Sequence, residues 1–269
     1  MASETIVTTV ERQAAAARPQ IHVRGAVKSF SGRVVVHVGD LVLGEHPIEG
    51  LIGPNGAGKT TLMRMVMHST PLDEGSITLR PASGSEIVLS SLPAHRMAEH
   101  GVVKSNQVIM DFDKLTIWDS LLLAVAERHY EQPWRVLSER ALFRHHEDEM
   151  RHHLEYFGFT DPSAFALSAG EKKLLDIVRC LLLRPSFLLL DEPTAGLPDD
   201  LTEKVMDVVH GLAAKGTSVV IVEHDLNVIW GLCDWVHFMA EGDVILRGDP
   251  QSIREHATVV EKYLGEGHV

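Results

Sequence analysis

The stretch Gly53–Thr61, GPNGAGKTT, follows the apolar run Gly50–Ile52 and decides the fold. Its spacing G-x-x-x-x-G-K-[ST] is met by Gly53, Gly58, Lys59 and Thr60. Glycines at these points let backbone N–H groups turn inward around a phosphate, where a Cβ would block the approach. A helix beginning at Lys59 adds its positive N-terminal end. Gly53, Asn55, Gly56, Gly58, Lys59, Thr60 and Thr61 are therefore the expected ligands of a nucleotide phosphate chain. Lys59 is expected to reach the terminal phosphate oxygens, and the Thr60 hydroxyl to ligate Mg²⁺.

The flanks supply the context that such a loop requires. Upstream, Ile21–Phe30 and Arg33–Leu43 alternate apolar and polar residues and read as strands. Downstream, Lys59–Ser69 has helical spacing and Pro71 stops it. Short strands are expected at Ser76–Arg80 and Glu86–Ser90, and a helical stretch from Leu115 to Phe157. A helix over Gly170–Leu183 then precedes the apolar strand FLLLD (Phe187–Asp191), and a helix over Asp199–Ala214 precedes SVVIVEHD. Helices alternating with apolar strands imply a parallel sheet covered on both faces. The fold class expected is α/β, a phosphate-loop NTPase core with a mixed β subdomain and an inserted α-helical subdomain. The boundaries read as a flexible tail over 1–20, a nucleotide-binding core over 21–106 and 167–255, helices over 107–166, and a C-terminal tail over 256–269.

The strand FLLLD places Asp191 at the carboxyl edge of the sheet, where ligands of α/β proteins bind. Asp191 is expected to hold Mg²⁺ through its water shell, and Glu192 to orient and deprotonate an attacking water.

Composition narrows the partners. In 269 residues there are 25 Lys and Arg against 37 Asp and Glu, a formal net charge of −12. That field repels nucleic acid and anionic lipid surfaces, so no nucleic-acid partner is expected. Cys180 and Cys233 lie far apart and read as packed, reduced thiols. No apolar run approaches the roughly 18–20 residues of a membrane span, and the N-terminus lacks the apolar core of a secretory signal.

Two further pieces give the family. LSAGEKK (Leu167–Lys173) lies one short helix upstream of the Asp191–Glu192 pair, and VIVEHD (Val220–Asp225) sets His224 after the next strand. In order and spacing, the chain from Ile21 to Leu264 resembles the nucleotide-binding subunits of ABC ATPases. By that resemblance the cofactors are ATP and Mg²⁺. Ser168 and Gly170 would be signature-motif residues, contacting ATP held by the other subunit of a head-to-tail dimer. Gln107 would be the glutamine that contacts Mg²⁺ and senses the membrane partner. Phe30 would stack on adenine, and His224 would be the switch histidine at the γ-phosphate. The helices over 107–166 would dock on transmembrane partners.

Within the family, EIVLSSLPAHRMAEHGVVKSNQ, LTIWDSLLLA, VEHDLNVI and VVEKYLG resemble the ATPases of branched-chain amino acid importers. AGLPDD (Ala195–Asp200) resembles a stretch shared with the urea and short-chain amide importers. The resemblance implies uptake of a small polar organic solute through two transmembrane permease subunits. A second ATPase subunit, of the same or a related chain, would complete the motor, with a solute-binding protein acting indirectly. The chain would lie peripherally on the cytoplasmic face of the cell membrane. The alternative is a soluble ABC ATPase of an assembly complex, of iron–sulfur type, or of a DNA- or ribosome-acting complex. Three positions depart from the family pattern: Ala169 for the first signature glycine, Pro198 in the D-loop, and KSNQ before and at Gln107.

The run RHHEDEMRHHLE (Arg144–Glu155) brings His145, His146, His152 and His153 together. It reads as a solvated, ion-paired helix face rather than a zinc site. The methionines of LMRMVMHS read as packing behind the phosphate loop, and the scattered tryptophans as core or interface residues.

Overall fold

The computed structural model describes residues 18–105, 115–127, 139–164 and 167–261, with the side chains of 125–127 and 139–145 left aside. Gln107, the segment 1–17 and the end 262–269 lie outside the described residues. The chain opens on a hairpin of β1 (Gln20–Phe30) and β2 (Arg33–Leu43). Ser31 and Gly32, at φ +50 and +79, make the two-residue turn whose twist matches paired strands. β4 (Glu74–Arg80) and β5 (Ile87–Val88) complete an antiparallel sheet in the order β2-β1-β4-β5. The strand expected over Glu86–Ser90 is thus two residues long, because Leu89–Ser91 turns into a 3₁₀ helix.

The second sheet has the order β10-β9-β3-β8-β7-β6. It is built from β3 (Ile48–Ile52), β6 (Val102–Lys104), β7 (Phe187–Asp191), β8 (Ser218–Val222), β9 (Trp235–Ala240) and β10 (Asp243–Gly248). β6 through β9 run parallel, and β10 pairs antiparallel with β9. All five residues of β3, β7 and β8 are buried, as expected of strands covered on both faces.

Strand alternation divides the core. Phe187, Leu189, Val220 and Val222 face the antiparallel sheet and α1 (Lys59–Val66), together with Leu62, Met63 and Met65. Leu188, Leu190, Val219 and Ile221 face the opposite way, onto α5 (Asp199–Ala214), α6 (Leu226–Leu232) and α7 (Pro250–Glu255). The methionines of α1 are packing residues, as their spacing implied. The short α8 (Ala257–Val259) follows α7. A third core joins α2 (Ile117–Glu127), α3 (Glu139–Phe157) and α4 (Ala169–Leu182) through Leu121, Met150, Leu154, Phe157, Leu174 and Val178. α4 serves two cores, since its Cys180 packs toward the sheet.

Three expectations are corrected. Arg18 and Pro19, assigned to the flexible tail, are tied down. The Arg18 guanidinium donates to Thr217 O and Ala213 O at 3.1 and 2.8 Å, and Ser218 Oγ donates to Pro19 O at 2.7 Å. The helix expected over Lys59–Ser69 ends at Val66, with His68 left-handed at φ +50 just beyond it. His146 is not solvated: its side chain is 8% exposed, 3.6 Å from Glu149. The reason is helical period, which sets His146 on the face of Met150, Leu154 and Phe157. Burial raises both cysteine thiols, consistent with packed, unreactive groups.

Candidate functional site

β3 carries the phosphate loop to the carboxyl edge of the parallel sheet and α1 leaves it at once. Gly53 is held against β9, where a Cβ would lie 1.9 Å from Met239 O at φ +147. Close strand packing, not phosphate approach, therefore excludes a side chain there. Gly56, at φ +79, faces open space instead. Lys59 Nζ donates to Gly53 O at 2.6 Å and Pro54 O at 3.1 Å, closing the loop on itself. Burial lowers the Lys59 pKa, and the nearby Glu192 and Asp191 charges offset part of that shift.

The loop forms one wall of a cleft of about 260 Å³. Asn55, Gly56, Ala57, Gly58, Lys59, Thr60 and Thr61 line it, opposite Glu192, Val222 and His224, with Val35 of β2 at one side. Sequence reading missed Val35; its only signal is its place five residues after Phe30. Phe30 itself is not among the lining residues. It is 48% exposed at the end of β1, with Lys28 Nζ 5.5 Å from its ring centroid.

β7 delivers two carboxylates with different surroundings. Asp191 is buried. Its N–H donates to Ser105 Oγ at 3.0 Å, and its Oδ2 accepts from Lys104 Nζ at 3.0 Å. Asp191 Oδ1 has no hydrogen-bond partner although it is buried. A buried carboxylate oxygen without a hydrogen-bond donor and the Thr60 hydroxyl of the cleft wall are both oxygen donors of the kind a hard divalent cation takes. These residues fit Mg²⁺.

Glu192 lies one residue on, in left-handed backbone at φ +51. Its N–H donates to Val222 O at 2.7 Å, and His224 Nε2 is 3.1 Å from its Oε1. An imidazole and a carboxylate thus meet in the lining of the cleft that the glycine loop forms, where a water could be oriented and deprotonated.

Three residues that the sequence did not mark hold Glu192, His224 and Asp191 in place. Glu223, 1% exposed, accepts from Thr194 N and Thr194 Oγ, both at 2.7 Å, and from His224 N at 3.1 Å. Lys173 donates to Glu192 O and Ala195 O, both at 2.7 Å. Its pKa is lowered by burial, opposed by Glu223, Glu192 and Asp191. Lys104 completes the set through Asp191. A carboxylate at the end of the apolar VIVE was the one visible signal for Glu223.

Ser168 and Gly170 do not line this cleft; they begin α4. Ser168 Oγ accepts from Glu171 N at 3.2 Å, and Glu171 Oε2 accepts from Ser168 N at 2.8 Å, a reciprocal capping box. Gly170 packs closely, since a Cβ would stand 3.3 Å from Leu197 Cδ2. The structure thus brings together the phosphate loop, Glu192 and His224, and sets the signature residues apart from them. Gln107 lies outside the described residues.

Comparison with known proteins agrees with this geometry. Residues 39–195 match the family model described as ABC transporter. The chain is 32% identical over 257 residues to the high-affinity branched-chain amino acid transport ATP-binding protein LivG of Salmonella typhimurium, covering 93% of this chain and 99% of that protein. It is also 32% identical over 239 residues to the lipopolysaccharide export system ATP-binding protein LptB of Haemophilus influenzae, covering 89% and 94%. Among solved structures, an ATP-binding cassette of an ABC transporter in its ADP conformation superposes with a TM-score of 0.73 at 25% identity, covering 92% of this chain and 99% of that one.

Proposed function

The chain belongs to the ABC transporter family and is an ATP-binding, ATP-hydrolysing subunit, and we propose that it drives uptake of a small polar organic solute through two partner permeases. The observation that carries the catalytic reading is the Glu192–His224 pair, 3.1 Å apart, on the wall opposite Lys59. In this reading Asn55 to Thr61 wrap the phosphates, Gly53 lets the loop start close against β9, and Lys59 neutralises the terminal phosphates. Thr60, Asp191 and Gln107 would hold Mg²⁺, which would supply positive charge to the phosphates. Glu192 takes a proton from the attacking water, and His224 holds both the carboxylate and the γ-phosphate. Phe30 stacks on adenine. Ser168 and Gly170 present the start of α4 to ATP bound by a second ATPase subunit, whose γ-phosphate one phosphate-loop face leaves uncovered.

The importer reading is supported by near full-length similarity to LivG, 93% of one chain against 99% of the other. The likeness to LptB favours a second reading, outward movement of an amphipathic lipid. In either case the residues 107–166 and the chain's peripheral placement on the cytoplasmic face serve docking on permeases, with a solute-binding protein delivering cargo in the importer.

Inverted membrane vesicles and whole cells separate the two. Cells should take up radiolabelled leucine, urea or acetamide when this chain and its neighbouring permeases are present, and lose uptake with Glu192→Gln. Uptake of none of these, with lipid flux that depends on Glu192, would replace the importer reading by the exporter one.

A further inference from the structure

Five described non-glycine residues have left-handed backbone. Ser31 and Glu241 sit in hairpin turns, and His68 and Arg184 follow the ends of helices. Glu192 differs: it leaves a buried strand directly into the nucleotide cleft. That conformation is unfavourable for an L-residue and persists only where surrounding bonds over-determine it. Both peptide groups of Glu192 are held. Its N–H donates to Val222 O at 2.7 Å, and its carbonyl accepts from Lys173 Nζ at 2.7 Å. The same ammonium reaches Ala195 O at 2.7 Å, so it spans the loop that Glu192 begins.

Lys173 does not line the cleft; it belongs to the opening turns of α4, five residues after the cap Ser168. We propose that Lys173 is the positioning residue of Glu192: by clamping the Glu192 carbonyl it fixes the direction in which the carboxylate leaves the backbone and keeps it on His224. The inference rests on the reading of Glu192 as the group that activates water. It adds a mechanical consequence. The helix start offered to the second subunit's ATP and the carboxylate acting on this subunit's ATP are joined through one side chain. A shift of α4 on closure of the dimer therefore re-aims Glu192.

The test is a double-mutant cycle on the purified full-length chain: wild type, Lys173→Met, Glu192→Gln and the double variant, with Lys173→Arg as the conservative control. Lys173→Gln, which keeps a donor group but loses the charge, replaces Lys173→Met where the latter does not fold. Steady-state hydrolysis, single-turnover hydrolysis of radiolabelled ATP and binding of a fluorescent ATP analogue are measured for each. Lys173→Met should lower kcat roughly tenfold or more while ATP KM and analogue Kd stay within about twofold. Lys173→Arg should recover most of the loss. In the Glu192→Gln background Lys173→Met should change the single-turnover rate by less than about twofold, because no carboxylate remains to be aimed. Equal losses in both backgrounds, or a parallel loss of nucleotide affinity, would overturn the inference and leave Lys173 a bond of the fold. Glu192→Gln with wild-type kcat would instead sink the reading of Glu192 itself, and the inference with it.

Discussion

At the scale of single residues, similar-looking positions in the site obey different physics. Gly53 and Gly56 both belong to the phosphate loop, yet only Gly53 is pressed against another strand, with 1.9 Å between a built Cβ and Met239 O. Gly53→Ala should therefore fail to fold or lose several kcal/mol in urea denaturation. Gly56→Ala should lose only about 1 kcal/mol, from its left-handed backbone, and show its main effect as weakened binding of a fluorescent ATP analogue. Asp191 poses a different problem, a carboxylate 3% exposed whose one ion pair within 4 Å among the described residues is with Lys104, the Lys59 and Lys173 charges acting from further off. Lys104→Met removes that close ion pair and should destabilise the chain by about 3 kcal/mol, read as a lowered midpoint in thermal unfolding. Lys104→Arg should restore most of the midpoint. Equal midpoints for Lys104→Met and wild type would show that the pair does not hold Asp191. The spacing of glycines made the phosphate loop readable, but Lys104 and Lys173 carried no such mark. Their partners, Asp191 Oδ2 and the carbonyls of Glu192 and Ala195, lie 87, 19 and 22 residues away in sequence.

At the scale of elements, the loops after β7 and β8 behave as one piece. Glu223 locks them, with one oxygen on Thr194 and the other on the His224 N–H. Glu223→Ala should remove three hydrogen bonds from a buried position and cost about 2–4 kcal/mol. It should also lower kcat by separating Glu192 from His224, checked by phosphate-release assays on protein shown folded by circular dichroism. Thr194→Val, which keeps the shape and removes one bond, should cost about 1 kcal/mol. A Glu223→Ala protein with wild-type kcat would contradict the coupling of the two loops. Regular elements were largely legible: Arg33–Leu43, Phe187–Asp191 and Asp199–Ala214 stand where their patterns set them. The misses have local causes. The helix after the phosphate loop stops at Val66 because the chain turns left-handed at His68 before Pro71 is reached. The histidine-rich helix hides His146 because a polar composition concealed an apolar face spaced at the helical period.

At the scale of the whole molecule, two sheets and a helical layer place the glycine loop, Glu192 and His224 around one cleft and leave Ser168 and Gly170 out of its lining. Such a division is of use when a second copy or a related chain supplies the missing half. No helix among the described residues is long and apolar enough to cross a membrane. The fold and nucleotide chemistry were legible because their motifs are local and ordered along the chain. The solute was not, because in the proposed assembly the groups that touch it belong to the permeases, and the chain resembles both an importer subunit and an exporter subunit. The most direct measurement is affinity purification of the tagged chain from detergent-solubilised membranes, with identification of the proteins that accompany it. A transport ATPase should bring down two polytopic permeases, alone or with a second ATPase. Recovery of soluble partners only would contradict the transport account and return the chain to the assembly or nucleic-acid classes.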